Sequence, residues 1–105
     1  MAQHKDAIKR IRQNEKRRMR NRHYMSLMRG RIKVFRATVD KAQTYHDKNE
    51  PALAKSELDK AQELFPGVVS IIQRVTSKGV IHRNQASRKV RRLHASLHGL
   101  ENSLA

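Results

Sequence analysis

Residues 49–77, NEPALAKSELDKAQELFPGVVSIIQRVTS, decide the fold. Ala54, Leu58, Ala61, Phe65, Val68, Ile72 and Val75 advance through this stretch in alternating steps of four and three, the spacing that puts all of them on one face of an α-helix. The register runs unbroken across Pro66-Gly67. Proline lacks the backbone N–H and its ring crowds the carbonyl four residues earlier, so two readings stay open. Either one helix runs from about Asn49 to Ser77, kinked at Pro66, or two helices are split there. Asn49 is expected to cap the start, with Glu50 and Pro51 in the first turn. Gly79 is expected to supply the left-handed residue that ends the helix.

Two further stripes lie outward from this stretch. Met25, Met28, Ile32, Phe35, Val39 and Ala42 step in the same way on the N-terminal side, and Ala86, Val90, Leu93, Leu97, Leu100 and Leu104 on the C-terminal side. Asn84 is a candidate N-cap for the third helix. No alternating run of β-branched residues appears, and none of the glycines follows Asn, Asp or Gly as a tight hairpin prefers. Three stripes predict an all-α three-helix bundle with a long basic N-terminal helix and a second helix kinked or split at Pro66. With 105 residues the chain is expected to be one domain, 1–105, too short for a two-domain enzyme with a cleft between halves.

Charge is distributed unevenly along this frame. Residues 1–36 carry 13 basic and 2 acidic side chains, residues 37–66 carry 4 and 6, and residues 67–105 carry 7 and 1. The net charge of +15 opposes compaction unless a polyanion neutralises it, which makes nucleic acid the first candidate partner. Nine of the eighteen residues from Lys5 to Arg22 are basic: Lys5, Lys9, Arg10, Arg12, Lys16, Arg17, Arg18, Arg20 and Arg22. Consecutive cations such as Lys16, Arg17 and Arg18 point about 100° apart at 3.6 residues per turn, so positive charge wraps the helix. Ile8, Ile11 and Met19 leave only a thin apolar line. Residues 1–24 therefore read as a basic helical extension that RNA orders, because like charges four apart destabilise it when alone. On the third helix, Arg88, Arg91 and Arg92 point nearly opposite the apolar stripe and Lys89 flanks it, which makes a second candidate polyanion surface with Lys78, Arg83 and Asn84.

Other chemistry is hard to build from this chain. The absence of cysteine removes disulfides, thiolate nucleophiles and the common Cys-based zinc modules. His94 and His98 are one helical turn apart, yet Glu101 is the only acid near them, so packing or RNA contact is preferred to metal binding. Gly30, Gly67, Gly79 and Gly99 are isolated and form no phosphate loop, and no Ser/His/acid set stands out. The expectation is no catalytic residue, no metal, no cofactor and no small-molecule substrate. Tyr24, Phe35, Tyr45 and Phe65 are too few for a base-stacking surface, so recognition must rest on phosphates, sugars and RNA shape. The chain has no apolar run long enough to cross a bilayer and no signal-peptide core, which predicts a protein that stays where it is made.

Two strings resemble a known family. Ala7, Lys9-Arg10, Arg12, Glu15-Lys16-Arg17-Arg18 and Arg20-Asn21, followed by Ser26 and Met28-Arg29, look like the basic-helix signature of the bacterial-type small-subunit ribosomal protein twenty family. Residues 78–89, KGVIHRNQASRK, look like that family's loop-and-helix signature. Asp6, Gly30 and Ser87 depart from the residues usual there, and Gly30 is expected to mark a bend or a close backbone approach to RNA. The resemblance implies a three-helix bundle that binds the 5′ domain of small-subunit (16S-type) ribosomal RNA directly, early in assembly, with a further contact near the RNA's 3′ end.

Resemblance and charge together nominate Lys9, Arg10, Arg12, Lys16, Arg17, Arg18, Arg20, Asn21, Arg22 and Arg29 from the first string. From the second region they nominate Lys78, His82, Arg83, Asn84, Arg88, Lys89, Arg91 and Arg92. The implied partners are small-subunit ribosomal RNA and other ribosomal components, with no membrane and no obligate homo-oligomer. The implied location is a ribosome in the cytoplasm or in the plastid stroma. The competing reading is a general basic DNA-binding or nucleoid protein, in which Asn84-Gln85 after Gly79 would open a recognition helix. An all-round basic helix has no counterpart in that motif.

Overall fold

The structure, a computed structural model, describes residues 2–105. It contains three helices: α1 (Ala2–Asp47), α2 (Pro51–Ser77) and α3 (Arg83–Leu104). The molecule measures 72 × 20 × 17 Å. At about 1.5 Å per residue the 46 residues of α1 span about 69 Å, so this one helix sets the long dimension. α2 turns back along the C-terminal half of α1, and α3 turns again along α2. Because α2 is shorter by nineteen residues, α1 overhangs the bundle by roughly 28 Å at its N-terminal end.

The turns explain where the helices stop. Asn49 has φ 59° and ends α1 rather than starting α2: its N–H donates to the His46 carbonyl (3.1 Å), and the Glu50 N–H donates to the Tyr45 carbonyl (2.9 Å). This pair of bonds is the Schellman closure, and asparagine is among the few non-glycine residues that enter the left-handed region readily. The cap position of α2 therefore falls on Glu50, which makes no side-chain cap, with Pro51 as the first helical residue. Gly79 repeats the closure for α2 at φ 75°, with Gly79 N–H to Thr76 (2.9 Å) and Val80 N–H to Val75 (3.2 Å), as its sequence position predicts. α3 is capped by His82, not by Asn84: the imidazole Nδ1 accepts the Asn84 N–H at 3.1 Å from an extended backbone.

α2 is one continuous helix through Pro66, which excludes the split into two. Its neighbours hold it: Phe65 packs its ring 5.8 Å from Phe35, and Val68 is buried just beyond the proline. The main core joins Met28, Ile32 and Phe35 of α1 to Ala61, Val68, Ile72 and Val75 of α2 and Ala86, Leu93 and Leu97 of α3. Each of these belongs to a predicted stripe. Ile71 and Ile81 are buried as well, beyond the stripes, because α2 is sandwiched between α1 and α3 and the α2–α3 connection folds over the core. Glu57 is also buried, at 8% exposure, on a position outside the apolar stripe of α2. Lys60 Nζ lies 3.2 Å and Lys41 Nζ 3.9 Å from its Oε1, so two cations offset the desolvation of the carboxylate.

Candidate nucleic-acid interface

From His4 to Arg20 every side chain is exposed. Lys9, Arg10, Arg12, Lys16, Arg17 and Arg18 thus project in all directions from a rod that no other part of the chain covers. Arg20 sits at the root of the overhang, where its Nη2 donates to the Lys78 carbonyl at 3.3 Å. That carbonyl belongs to the C-terminal cap of α2, where the helix dipole is negative and a guanidinium is favoured. One contact thereby joins the two nominated regions, separated by 58 positions in sequence. Asn21 is half-buried on the bundle side, seven residues before Met28, with its Oδ1 enclosed and without a partner. Arg22 and Arg29 are exposed.

In the second region Lys78, His82, Arg83, Asn84, Arg88, Arg91 and Arg92 are exposed and Lys89 is half-buried. His82 has a structural duty, since accepting a hydrogen bond at Nδ1 places its proton on Nε2 and leaves that N–H facing outward as a donor. Asn84 contributes its backbone to the same cap. Arg91 parts from the rest of its group: it lines the α2–α3 side with Gln73 and His94, while Arg88, Lys89 and Arg92 face the α1 side.

Two cations outside both sequence strings join the second region. Lys33 and Arg36 line an open groove between α1 and α3 together with Arg29 and Lys89, over a floor that includes Ile32 and Leu93. Their signal is legible after the fact, since Arg29, Lys33 and Arg36 each follow a core position, Met28, Ile32 and Phe35, by one residue.

His94 and His98 stack in parallel with ring centroids 6.2 Å apart, and His94 packs 5.8 Å from Phe65. His98 Nδ1 lies 3.9 Å from Glu101 Oε2. Among the described residues no group of three or more His, Cys, Asp or Glu side chains could hold a metal ion. No helix among them is long and apolar enough to cross a membrane.

A family model described as Ribosomal protein S20 matches residues 2–98. The small ribosomal subunit protein bS20 of Parabacteroides distasonis is 45% identical over 86 residues, 82% of each chain. That of Aquifex aeolicus is 38% identical over 93 residues, 89% of this chain and 84% of its own. That of Syntrophobacter fumaroxidans is 40% identical over 100 residues, covering 95% of this chain and all of its own. No solved structure matches the chain significantly. A match across both signatures and the helices between them is more than a shared basic string could produce, and the chain belongs to the ribosomal protein S20 family.

Proposed function

We propose that this chain is a non-catalytic structural component of the small ribosomal subunit in the cytoplasm. It binds the 5′ domain of small-subunit ribosomal RNA directly and supports subunit assembly, with other ribosomal components as neighbours. Family membership supports the subunit, and one structural observation carries the mechanism: the basic overhang of α1, exposed on every side. A rod with cations all round neutralises phosphates on RNA helices lying on opposite sides of it, which lets two like-charged helices approach. The bundle fixes where the rod emerges, and the Arg20–Lys78 contact sets the loop residues beside its root.

The test is affinity for a 5′-domain RNA fragment against a folded control RNA and duplex DNA across a salt series. A preference of about 100-fold that persists at high salt, about 3 kcal/mol, is the expected result. Equal binding to all three, collapsing together as salt rises, would move the nucleoid reading to first place. Replacing Arg17 and Arg18 by Ala should weaken binding and lower the slope of log K against log salt by about one unit per lost phosphate contact. An unchanged slope removes both from the interface.

A further inference from the structure

We infer that the open seam between α1 and α3 is a track for one RNA backbone strand, and that Lys33 and Arg36 hold its phosphates together with Lys89. The inference rests on the RNA-binding reading above and adds to it a built groove and cations that neither sequence string contains. α1 and α3 meet less closely than either meets α2, and between them lies a groove of about 420 Å³ walled by Arg29, Lys33 and Arg36 on one side and Lys89 on the other. A second hollow of about 270 Å³ holds Arg88 and Arg92, and Lys89 lines both. Lys89 thus joins the two hollows into one channel along α3, with cations on both walls of the first and on the α3 wall of the second.

The floor matters as much as the walls. Ile32 and Leu93 are apolar, so no carboxylate competes for the cations along the middle of the channel, and Asp40 stands at the groove's far end. No ion pair among the described residues engages Arg29, Lys33, Arg36, Lys89 or Arg92. Like charges one helical turn apart, Arg29 with Lys33 and Arg88 with Arg92, are left to repel each other until an anion arrives. From Met25 to Arg36 the channel follows roughly 17 Å of α1. Six cations, Arg29, Lys33, Arg36, Arg88, Lys89 and Arg92, line that length and face the phosphates of a short run of one strand. The channel begins at Ile81 and Arg88, beside the loop that Arg20 contacts, so it continues the basic overhang rather than standing apart from it. A run of cations without ion-pair partners on a carboxylate-poor groove suits a sugar-phosphate backbone.

The experiment uses the full chain and the 5′-domain RNA fragment. The double variant Lys33→Ala/Arg36→Ala alters two exposed side chains, and its thermal transition should match that of the parent protein. Its affinity should fall at least tenfold and its salt slope by about 1.5 units for two lost phosphate contacts. The absence of cysteine allows a single cleavage reagent to be tethered at Ala37→Cys on the α1 wall or at Ser96→Cys, one turn beyond Arg92 on α3. Both tethers should cut overlapping nucleotides of one strand. Unchanged affinity and slope in the double variant, with loss in Arg17→Ala/Arg18→Ala, overturn the track and leave the general reading intact. Failure of both variants to change binding, with no preference for the ribosomal fragment, removes the general reading as well. Cuts in unrelated RNA segments overturn the single strand. Thiols at 37 and 96 that RNA leaves open to alkylation but a polyglutamate peptide covers reassign the seam to an acidic protein segment and overturn the track.

Discussion

One substitution at two glycines has opposite expected signs. Gly30 lies within α1 on an exposed position, and a Cβ built there meets nothing within 4 Å. Gly30→Ala therefore adds no clash and removes the extra freedom that glycine has in the unfolded chain. The gain is about 0.8–1.0 kcal/mol for a helix interior. With a urea dependence of about 1–3 kcal/mol per molar, the midpoint should rise by roughly 0.3–1 M. Gly79 has equally open space around it, but its φ is +75°. Gly79→Ala should cost about 1–2 kcal/mol, the steric penalty of an L-residue in the left-handed region, and lower the midpoint by a comparable amount. Equilibrium urea denaturation followed by far-UV circular dichroism measures both. Affinity separates the two roles that the sequence left open for Gly30. It lies on the α1–α2 side with Val34 and Gly67, away from the α1–α3 seam, so RNA binding should be unchanged. A destabilised Gly30→Ala protein, or shifts of the same sign at both glycines, would refute the reasoning.

Three further outcomes are expected from the packing. Phe35 is fully buried against Phe65, and Phe35→Ala should cost about 3–5 kcal/mol, a large share of a small domain's stability, seen as a loss of the cooperative thermal transition. His82→Ala should cost about 1 kcal/mol by removing the α3 cap, whereas His82→Asn should restore stability because asparagine caps well, a difference that thermal melts resolve. Lys60→Ala removes the nearer cation from buried Glu57 and should destabilise by about 1–2 kcal/mol in urea titration, with Lys41 supplying the remaining compensation.

The stripes were legible because a helix buried on one face must repeat its apolar positions every three or four residues, and all three helices obey. Ile71 and Glu57 were not, because α2 is covered from two sides and a single-face rule marks only one of them. The helix ends were misplaced by one or two residues for a local reason. Asn49 and Asn84 are both good N-caps by type, but Asn49 was needed in the left-handed turn that ends α1, and a histidine two positions earlier reached the α3 N-terminus first. The basic overhang could be read from composition alone, since a helix with charge on every face has no way to be buried. Lys33 and Arg36 could not be assigned in the same way. Their meaning depends on Lys89 standing opposite, and that pairing exists only once α3 has folded back beside α1.

The overhang itself raises the question of what keeps it helical. Residues 4–20 are exposed throughout, so apart from the Arg20 bond to Lys78 at the root only intrahelical bonds and local charge pairs act on them. Growth from the folded bundle avoids the nucleation cost, and each added residue is then favoured by a factor of only about 1–1.6. Against this stand Lys5 with Lys9, Arg12 with Lys16 and Lys16 with Arg20, like charges four apart that each cost a few tenths of a kcal/mol, while Asp6 and Glu15 are the only acids available to offset them. The two sides nearly cancel, so the free rod should open and close at little cost. Phosphates reverse the sign of every one of these pair terms by placing an anion between the cations, and ordering is then coupled to binding. Amide hydrogen exchange on the free and RNA-bound protein tests this. Residues 4–20 should exchange close to unprotected rates when free and slow sharply when bound, while Met28, Ile32 and Phe35 stay protected in both states. If residues 4–20 were as protected in the free protein as the buried half of α1, the rod would be a preformed element, and its affinity would carry no ordering cost.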